Sequence, residues 1–468
     1  MGQLRNGLRA RGHSLLRPSR PWRMTLSQTR TRRGFALTPL TLMYLFMALI
    51  VVGALVLRLP VASSSGQYTG FVDSLFTSAS AVCVTGLVVV DTGTHWSFFG
   101  QVVILLLIQI GGFGFMTSAT LLLLAFRRRV GLKERLLAGE TMGLSTSAGI
   151  VTLIRRVAVF TVVFEVAGAI VLLFRFQGEG AAWKALFHSV SAFNNAGFDL
   201  FGGFRSMTQF TDDFVVVLVT GLLLVVGGLS YVVLADVATR RRFRYLAVDT
   251  KFVVVASASL LGLGFAVLLI SEAGNPATLG LLDWPEKVGC ALFQAATPRT
   301  AGFTTIEIAE MRDQALLFTL FLMFVGGATG STAGGIKVNT FSLLVAASVS
   351  TLRGRERPTA YGAEFEAHSV YRALSVVMLA IAFVGIVVVT LTAIEGAPAI
   401  DMIFESVSAF GTVGLSTGVT PSLSTAGRLI VSATMFVGRL GPLYVALALV
   451  QSRKARAYHY PVEPVRIG

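Results

Sequence analysis

Charged residues are scarce in this chain: Asp, Glu, Lys and Arg together make up 13% of its 468 residues. A soluble protein carries about 25%. The shortage excludes a disordered chain and leaves too little polar surface to divide this length into soluble domains. Acids are scarcest, with 24 Asp+Glu against 39 Lys+Arg and none before Asp73. Only two cysteines occur, Cys83 and Cys290, with no CxxC spacing, so neither a disulfide framework nor a metal knuckle follows. The histidines (His13, His95, His188, His368 and His459) are scattered and form no HExxH. What is abundant is hydrophobic surface, at 54%. A net charge of +15 would suggest nucleic acid in a soluble protein, but the apolar excess excludes a nucleic-acid-binding globule. An integral membrane protein follows.

Eight stretches are long enough to cross a bilayer, which takes about 20 apolar residues. They run over 38–58, 98–125, 152–176, 213–238, 251–271, 315–349, 371–394 and 427–450. Shorter apolar pieces near 72–83, 184–194, 287–297 and 400–410 read as re-entrant or buried helices. Cations gather on one side: nine arginines in 1–37, then Arg127–Arg129, Arg240–Arg242, Arg353, Arg355 and Arg357, and a tail with Arg453, Lys454, Arg456 and Arg466. Retention of Lys and Arg in the cytoplasm puts both termini there, in a multi-pass protein of the plasma membrane. The acid-free leader 1–37 reads as a positive-inside flank or as an organelle transit peptide. Asn6 stands where myristoylation needs Ser or Thr.

An internal repeat organises the chain. Four segments align without gaps: Phe76 to Gly86, Phe187 to Gly197, Leu292 to Gly302 and Phe404 to Gly414. Their glycines are spaced by 111, 105 and 112 residues. A second mark follows 24 to 30 residues later, at Gly111–Gly112, Gly227–Gly228, Gly326–Gly327 and Gly438–Arg439. Asp73 and Asp401 each stand thirteen residues before their glycine, where an acid favours a helix start. The unit is a span, a short re-entrant helix, a glycine turn and a second span. The expected fold is an all-α polytopic membrane protein of four membrane–pore–membrane repeats around a pseudo-fourfold pore. Its repeats are bounded at 38–125, 126–238, 239–349 and 350–450, between the leader and a tail at 451–468.

The pattern suits cation passage. A dehydrated cation must be recoordinated by oxygens, and a ring of backbone carbonyls does so without net charge. Glycine allows the φ values that turn successive carbonyls to one side, and a short helix aims its negative C-terminal end at the ion. Close helix packing would explain single glycines, but not a ten-residue pattern repeated four times.

The segments TSASAVCVTGLVVVDTG, SAFNNAGFDLF, ATPRTAGFTT and SAFGTVGLSTG resemble the four filter regions of the KtrB/TrkH/HKT superfamily of potassium transporters. The resemblance extends over residues ~38–450 and is strongest to the KtrB branch. It implies a selectivity filter at Gly86, Gly197, Gly302 and Gly414. Carbonyl donors for potassium would be Val84, Thr85, Asn195, Ala196, Thr300, Ala301, Thr412 and Val413. It also implies a homodimer on a cytosolic ring of nucleotide-binding RCK subunits (KtrA-like), with ATP or ADP bound to the partner and no cofactor in this chain. Plant HKT relatives selective for sodium have serine where this chain has Gly86, which favours potassium. Sodium passage or stimulation stays open. Membrane lipid is the other expected partner.

Two cations stand deep in the spans. The sixth span is interrupted by Gly326, Gly327, Gly330, Gly334 and Gly335, followed by Lys337. The resemblance makes 326–335 an intramembrane gating loop, and a P-loop reading fails because Ile336 separates Gly335 from Lys337. Arg439, in the eighth span, costs roughly 2.5–3.5 kcal/mol if isolated at a helix centre. It should therefore face the pore and take acceptors from that loop, although snorkelling to the surface is the alternative for both cations. Arg299 reads equally as a brace for the short helix or as a charge at the outer mouth. A secondary cation symporter with a midplane site remains the rival, as does a sodium-permeable HKT/TrkH-like transporter. The symporter is disfavoured by parallel repeats and by Glu165 as the main acid deep in a span. No cluster suits an enzyme, and no Arg-every-third helix suits a voltage sensor.

Overall fold

The computed structural model of the protein describes residues 39–113, 150–355 and 357–441. The leader 1–37, Arg127–Arg129, the tail and the far ends of the spans expected at 98–125 and 427–450 lie outside the described residues. Within them the chain is helical apart from one hairpin, β1 (Thr359–Ala360) with β2 (Ala363–Glu364). In order come α1 (Pro39–Leu57), α2 (Phe71–Cys83), the one-turn α3 (Thr92–His95), α4 (Phe98–Gly112) and α5 (Ile150–Leu173). Next are α6 (Ala181–Phe193), α7 (Phe214–Leu229), α8 (Tyr231–Arg240), α9 (Val248–Glu272) and α10 (Trp284–Ala296). The last five are α11 (Asp313–Phe324), α12 (Val338–Leu352), α13 (Ala367–Glu395), α14 (Ala399–Gly411) and α15 (Thr425–Leu440).

Among the described residues, three helices are long and apolar enough to cross a bilayer by length and composition: Thr152–Leu173 within α5, α9 and α13. Large apolar side chains stay exposed on them, such as Val162 and Ile170 on α5, Ile270 on α9 and Ile386 and Val389 on α13. Water would penalise such surfaces; hydrocarbon does not. Short spacers fix where several helices begin. Ser97, Asp213 and Ser424 each accept a hydrogen bond from a first-turn N–H of α4, α7 and α15, and Asp283 with Glu286 forms a capping box on α10.

The sequence reads one span through 213–238. The structure divides it into α7 and α8 with a 94° bend. Ser230 takes φ +72°, which interrupts the helical ladder. The freed carbonyls of Gly227 and Gly228 accept from Thr332 N at 3.5 Å and Ala328 N at 3.1 Å, so a distant loop replaces the lost helical donors.

Helices α2, α6, α10 and α14 each have 13 residues. At 1.5 Å per residue that is about 20 Å, too short to span. They form the centre of the molecule, with Phe76, Phe187 and Phe404 fully buried. In the third segment Leu292 is 45% exposed and Phe293 takes the inner place at 3%. There α10 stops at Ala296, ahead of Pro298, so its register relative to the glycine differs. Each short helix packs on the long helix before it: α2 on α1, α6 on α5, α10 on α9, α14 on α13. Contacts then close a cycle, because α4 meets α6, α7 meets α10, α11 meets α14, and α15 meets α2. Asp73 on α2 and Arg428 on α15 pair at 2.5 Å across the last junction.

Candidate functional site

Each short helix runs into a turn of the same backbone shape. Gly86, Gly197, Gly302 and Gly414 have φ of +89°, +71°, +76° and +92°. Two residues before each, Val84, Asn195, Thr300 and Thr412 are also left-handed, with φ of +56°, +58°, +76° and +49°. Left-handed φ costs a side chain-bearing residue about 1–2 kcal/mol. Four occurrences at one offset make it a property of the turn, held by the surroundings.

Hydrogen bonds supply that hold. Thr85 N donates to Ser80 O (2.8 Å) and Gly86 N to Ser80 Oγ (3.0 Å). In the fourth turn Val413 N donates to Ser408 O (2.8 Å) and Gly414 N to Ser408 Oγ (3.1 Å). In the second, Ala196 N donates to Ser191 O (2.8 Å) and Ser191 Oγ to Phe198 O (2.8 Å). The third turn has Ala296 at this offset, and Thr297 Oγ1 donates to Phe303 O instead (2.5 Å).

The four turns meet head to side. A Cβ on Gly86 would strike Ala196 O, one on Gly197 would lie 3.0 Å from Ala301 O, one on Gly302 would lie 2.6 Å from Val413 O, and one on Gly414 would strike Thr85 O. The cyclic order is therefore 86, 197, 302, 414 and back to 86. Each carbonyl just before a glycine occupies the space that the neighbouring glycine leaves by lacking a side chain. The hydroxyls of Thr85, Thr300 and Thr412 are buried with no hydrogen-bond partner. Buried neutral oxygens packed around one ring, some without a protein partner, suit a monovalent cation.

A second feature lies against this ring. Between α11 and α12, residues 325–337 leave the helix and fold back, with Gly326 N donating to Ile336 O (2.8 Å) and Val338 N to Gly327 O (3.0 Å). The returning strand touches the fourth turn: a Cβ on Gly334 would strike Thr412 Oγ1, and one on Gly335 would come within 3.2 Å of the Gly411 Cα. Arg439 donates to Thr332 O in this loop and to Gly111 O at the end of α4. Lys337 Nζ donates to Ala333 O, so two cations converge on adjacent carbonyls. Arg299 donates to Ser257 O (3.2 Å) on α9 and Gly326 O (3.4 Å), tying the third turn to the start of the loop. Gly326, Gly327, Gly334 and Gly335 all meet close neighbours, whereas Gly330 sits at the exposed tip with φ +76°.

Several residues of this region were not singled out from sequence. Ser80, Ser191 and Ser408 share one offset, six residues before the glycine, so the aligned repeat itself held that signal. The second glycine mark has a packing explanation. A Cβ on Gly111, Gly227 or Gly438 would strike the carbonyl of Val82, Phe193 or Phe410, four residues before the turn glycine of the same segment. Glu165 accepts from Asn194 Nδ2 (2.8 Å) and Gln109 Nε2 (3.3 Å), neutral partners on two other helices. Nothing in the spacing linked those three. Among the described residues, no group of three or more His, Cys, Asp or Glu is arranged to hold a metal ion.

The family model described as "TrkH: Cation transport protein" matches residues 19–457. The chain is 38% identical to Ktr system potassium uptake protein B of Bacillus subtilis, over 95% of this chain and 100% of that protein. It is 36% identical to the potassium/sodium uptake protein NtpJ of Enterococcus hirae, again over 95% and 100%. A third relative, Ktr system potassium uptake protein B of Vibrio alginolyticus, is 36% identical over 92% and 95%. Among solved structures, the potassium transporter TrkH of Vibrio parahaemolyticus superposes with a TM-score of 0.71, covering 90% of this chain and 87% of that one at 18% identity, a likeness of fold.

Proposed function

The chain belongs to the TrkH family of cation transport proteins, and on that premise we propose that it takes up potassium through a channel-like pore in the plasma membrane. The single observation that carries this reading is the closed ring of Gly86, Gly197, Gly302 and Gly414, each packed against the carbonyl that precedes the next glycine. In this reading the ring is the selectivity filter, the four short helices are re-entrant pore helices, and eight spans in four repeats surround a pseudo-fourfold axis. Both termini are cytoplasmic. The fit to potassium rests on neutral oxygens, which replace hydration without binding so tightly that the ion cannot leave. Its four turns differ in sequence, so discrimination against sodium is weak; the potassium/sodium name of one relative accords with that.

The loop 326–335 with Arg439 and Lys337 is the gate. It meets the ring from the side of Thr412 and is held by carbonyl acceptors that a rearrangement can release. Regulation comes from a cytosolic nucleotide-binding RCK subunit, with the membrane chain as a homodimer. Two relatives are named as protein B of a Ktr system, which accords with a chain that works beside a second component. The test is ion flux from purified protein in liposomes, comparing potassium, rubidium and sodium. Potassium and rubidium should pass faster than sodium, by a modest factor. Flux that requires a co-transported second ion at fixed stoichiometry would instead indicate a symporter.

A further inference from the structure

Nine residues before the ring glycines, the four aligned segments carry Thr77, His188, Phe293 and Glu405. His188 and Glu405 are both 0% exposed in the middle of α6 and α14. Each is turned toward the chain that leaves its glycine turn. Thr420 Oγ1 donates to Glu405 Oε1 at 2.6 Å. Thr420 Oγ1 also lies 2.9 Å from Ser416 Oγ, which accepts from Gly418 N at 3.1 Å. With the Thr420 proton committed to the carboxylate, Ser416 donates to Thr420. The order is then Gly418 N–H to Ser416, Ser416 to Thr420, Thr420 to Glu405. Glu405 Oε2 is buried without a protein donor, so Thr420 is the side-chain anchor of this carboxylate.

The second segment reaches the same end with different chemistry. His188 Nδ1 lies 2.7 Å from Lys184 O and Nε2 accepts from Leu200 N at 3.3 Å. The proton therefore sits on Nδ1 and the ring is neutral. Leu200 is three residues past Gly197, whereas Ser416 and Thr420 are two and six past Gly414. The third helix, shifted by one residue, has buried Gln294 in this place, and its Oε1 lies 3.3 Å from Oγ1 of Thr304, two residues past Gly302; in the first segment Thr77 Oγ1 has no partner. By the cyclic order of the ring, the second and fourth turns stand diagonally opposite.

Building on the filter reading above, we propose that His188 and Glu405 are positioning residues that pin the outgoing backbone behind two diagonal filter turns and thereby set discrimination between potassium and sodium. Neither touches the ion. Each fixes how far its turn can relax inward around a smaller cation, and a braced ring holds the wider spacing that potassium fills. Gln294 ties the third turn more weakly through the Thr304 hydroxyl, and the first turn, unbraced from behind at Thr77, leaves discrimination incomplete.

The test is the potassium-to-sodium flux ratio in liposomes for Glu405→Ala, Glu405→Gln, Thr420→Val and Gly414→Ser, with each variant's thermal unfolding midpoint recorded. Glu405→Ala should lower the ratio about fivefold, the worth of one buried hydrogen bond. Glu405→Gln should restore most of it, because its amide oxygen still accepts from Thr420. Thr420→Val should match Glu405→Ala, and the double variant should add nothing further. If Glu405→Ala does not fold, Thr420→Val still decides, since it removes one hydroxyl at constant shape. A lowered ratio in Gly414→Ser beside unchanged Glu405 and Thr420 variants would overturn the positioning role and leave the filter standing. A Glu405→Gln as impaired as Glu405→Ala would also overturn it. An unchanged ratio in Gly414→Ser would overturn the filter reading itself.

Discussion

Arg439 combines a permanent charge, two backbone acceptors and no ion pair among the described residues. A guanidinium presents its donors in a rigid fork, and here the fork joins Thr332 O in the loop to Gly111 O at the end of α4. Helix ends carry unsatisfied carbonyls and partial negative charge, so Gly111 is a natural acceptor. Removing the side chain deletes both ties and a positive charge beside the proposed route. Arg439→Ala should raise potassium flux roughly tenfold, the equivalent of about 1.4 kcal/mol, and leave the potassium-to-sodium ratio nearly intact. Arg439→Lys should fall between, because one ammonium cannot span both carbonyls. Unchanged maximal flux with a shifted ratio would move Arg439 from gate to filter. The depth of Arg439 in an apolar span was legible in the sequence, as was its need for acceptors in 326–335. Gly111 was not, since the α4 end meets the Arg439 side chain only after the cycle of helices closes.

The loop 325–337 and the short helices show why some elements can be read from sequence and others cannot. Gly326, Gly327, Gly334 and Gly335 announce a broken helix, and helix propensity alone ends α11 near Phe324. The 94° bend after α7 was signalled only by Gly227–Gly228, two glycines against five in the loop, and the break itself falls at Ser230, an ordinary residue in an apolar run. Its break is stabilised by tertiary donors, Ala328 N and Thr332 N, that no local pattern encodes. The four short helices were visible through their length and repeat, while the third one's altered register around Pro298 came from a single proline whose effect depends on packing. If the loop is an element with two arrangements, shortening it should favour the open one. Deletion within 328–334 should raise flux and leave ion ratios unchanged. Hydrogen exchange should find the amides of 328–332 opening more readily than those of α11 and α12. Equal protection in loop and helices would argue against a moving gate.

At the scale of the molecule, the closed cycle of helix contacts makes one ring out of four segments far apart in the chain. The near-equal repeat spacing led to the expectation of four units around an axis, with which this cycle of contacts is consistent. The chain's strands among the described residues amount to one two-residue hairpin, so no βαβ unit for a nucleotide is present there. Nucleotide control should therefore appear only with a partner. Liposomes holding this chain alone should give flux indifferent to ATP and ADP, and adding an RCK subunit should make it respond. A nucleotide response from the isolated chain would refute this division of labour.

In the proposed function, cations cross through the ring of Gly86, Gly197, Gly302 and Gly414. At Gly86, φ of +89° disfavours any side chain, and a Cβ would strike Ala196 O of the next turn. A serine there must push the ring open or place its hydroxyl in the path. The decisive measurement is the potassium-to-sodium flux ratio of Gly86→Ser against the unaltered chain, in liposomes under equal gradients. The expected result is a ratio lowered toward unity with the protein still folded. A ratio and an apparent potassium affinity both unchanged from the parent would contradict it.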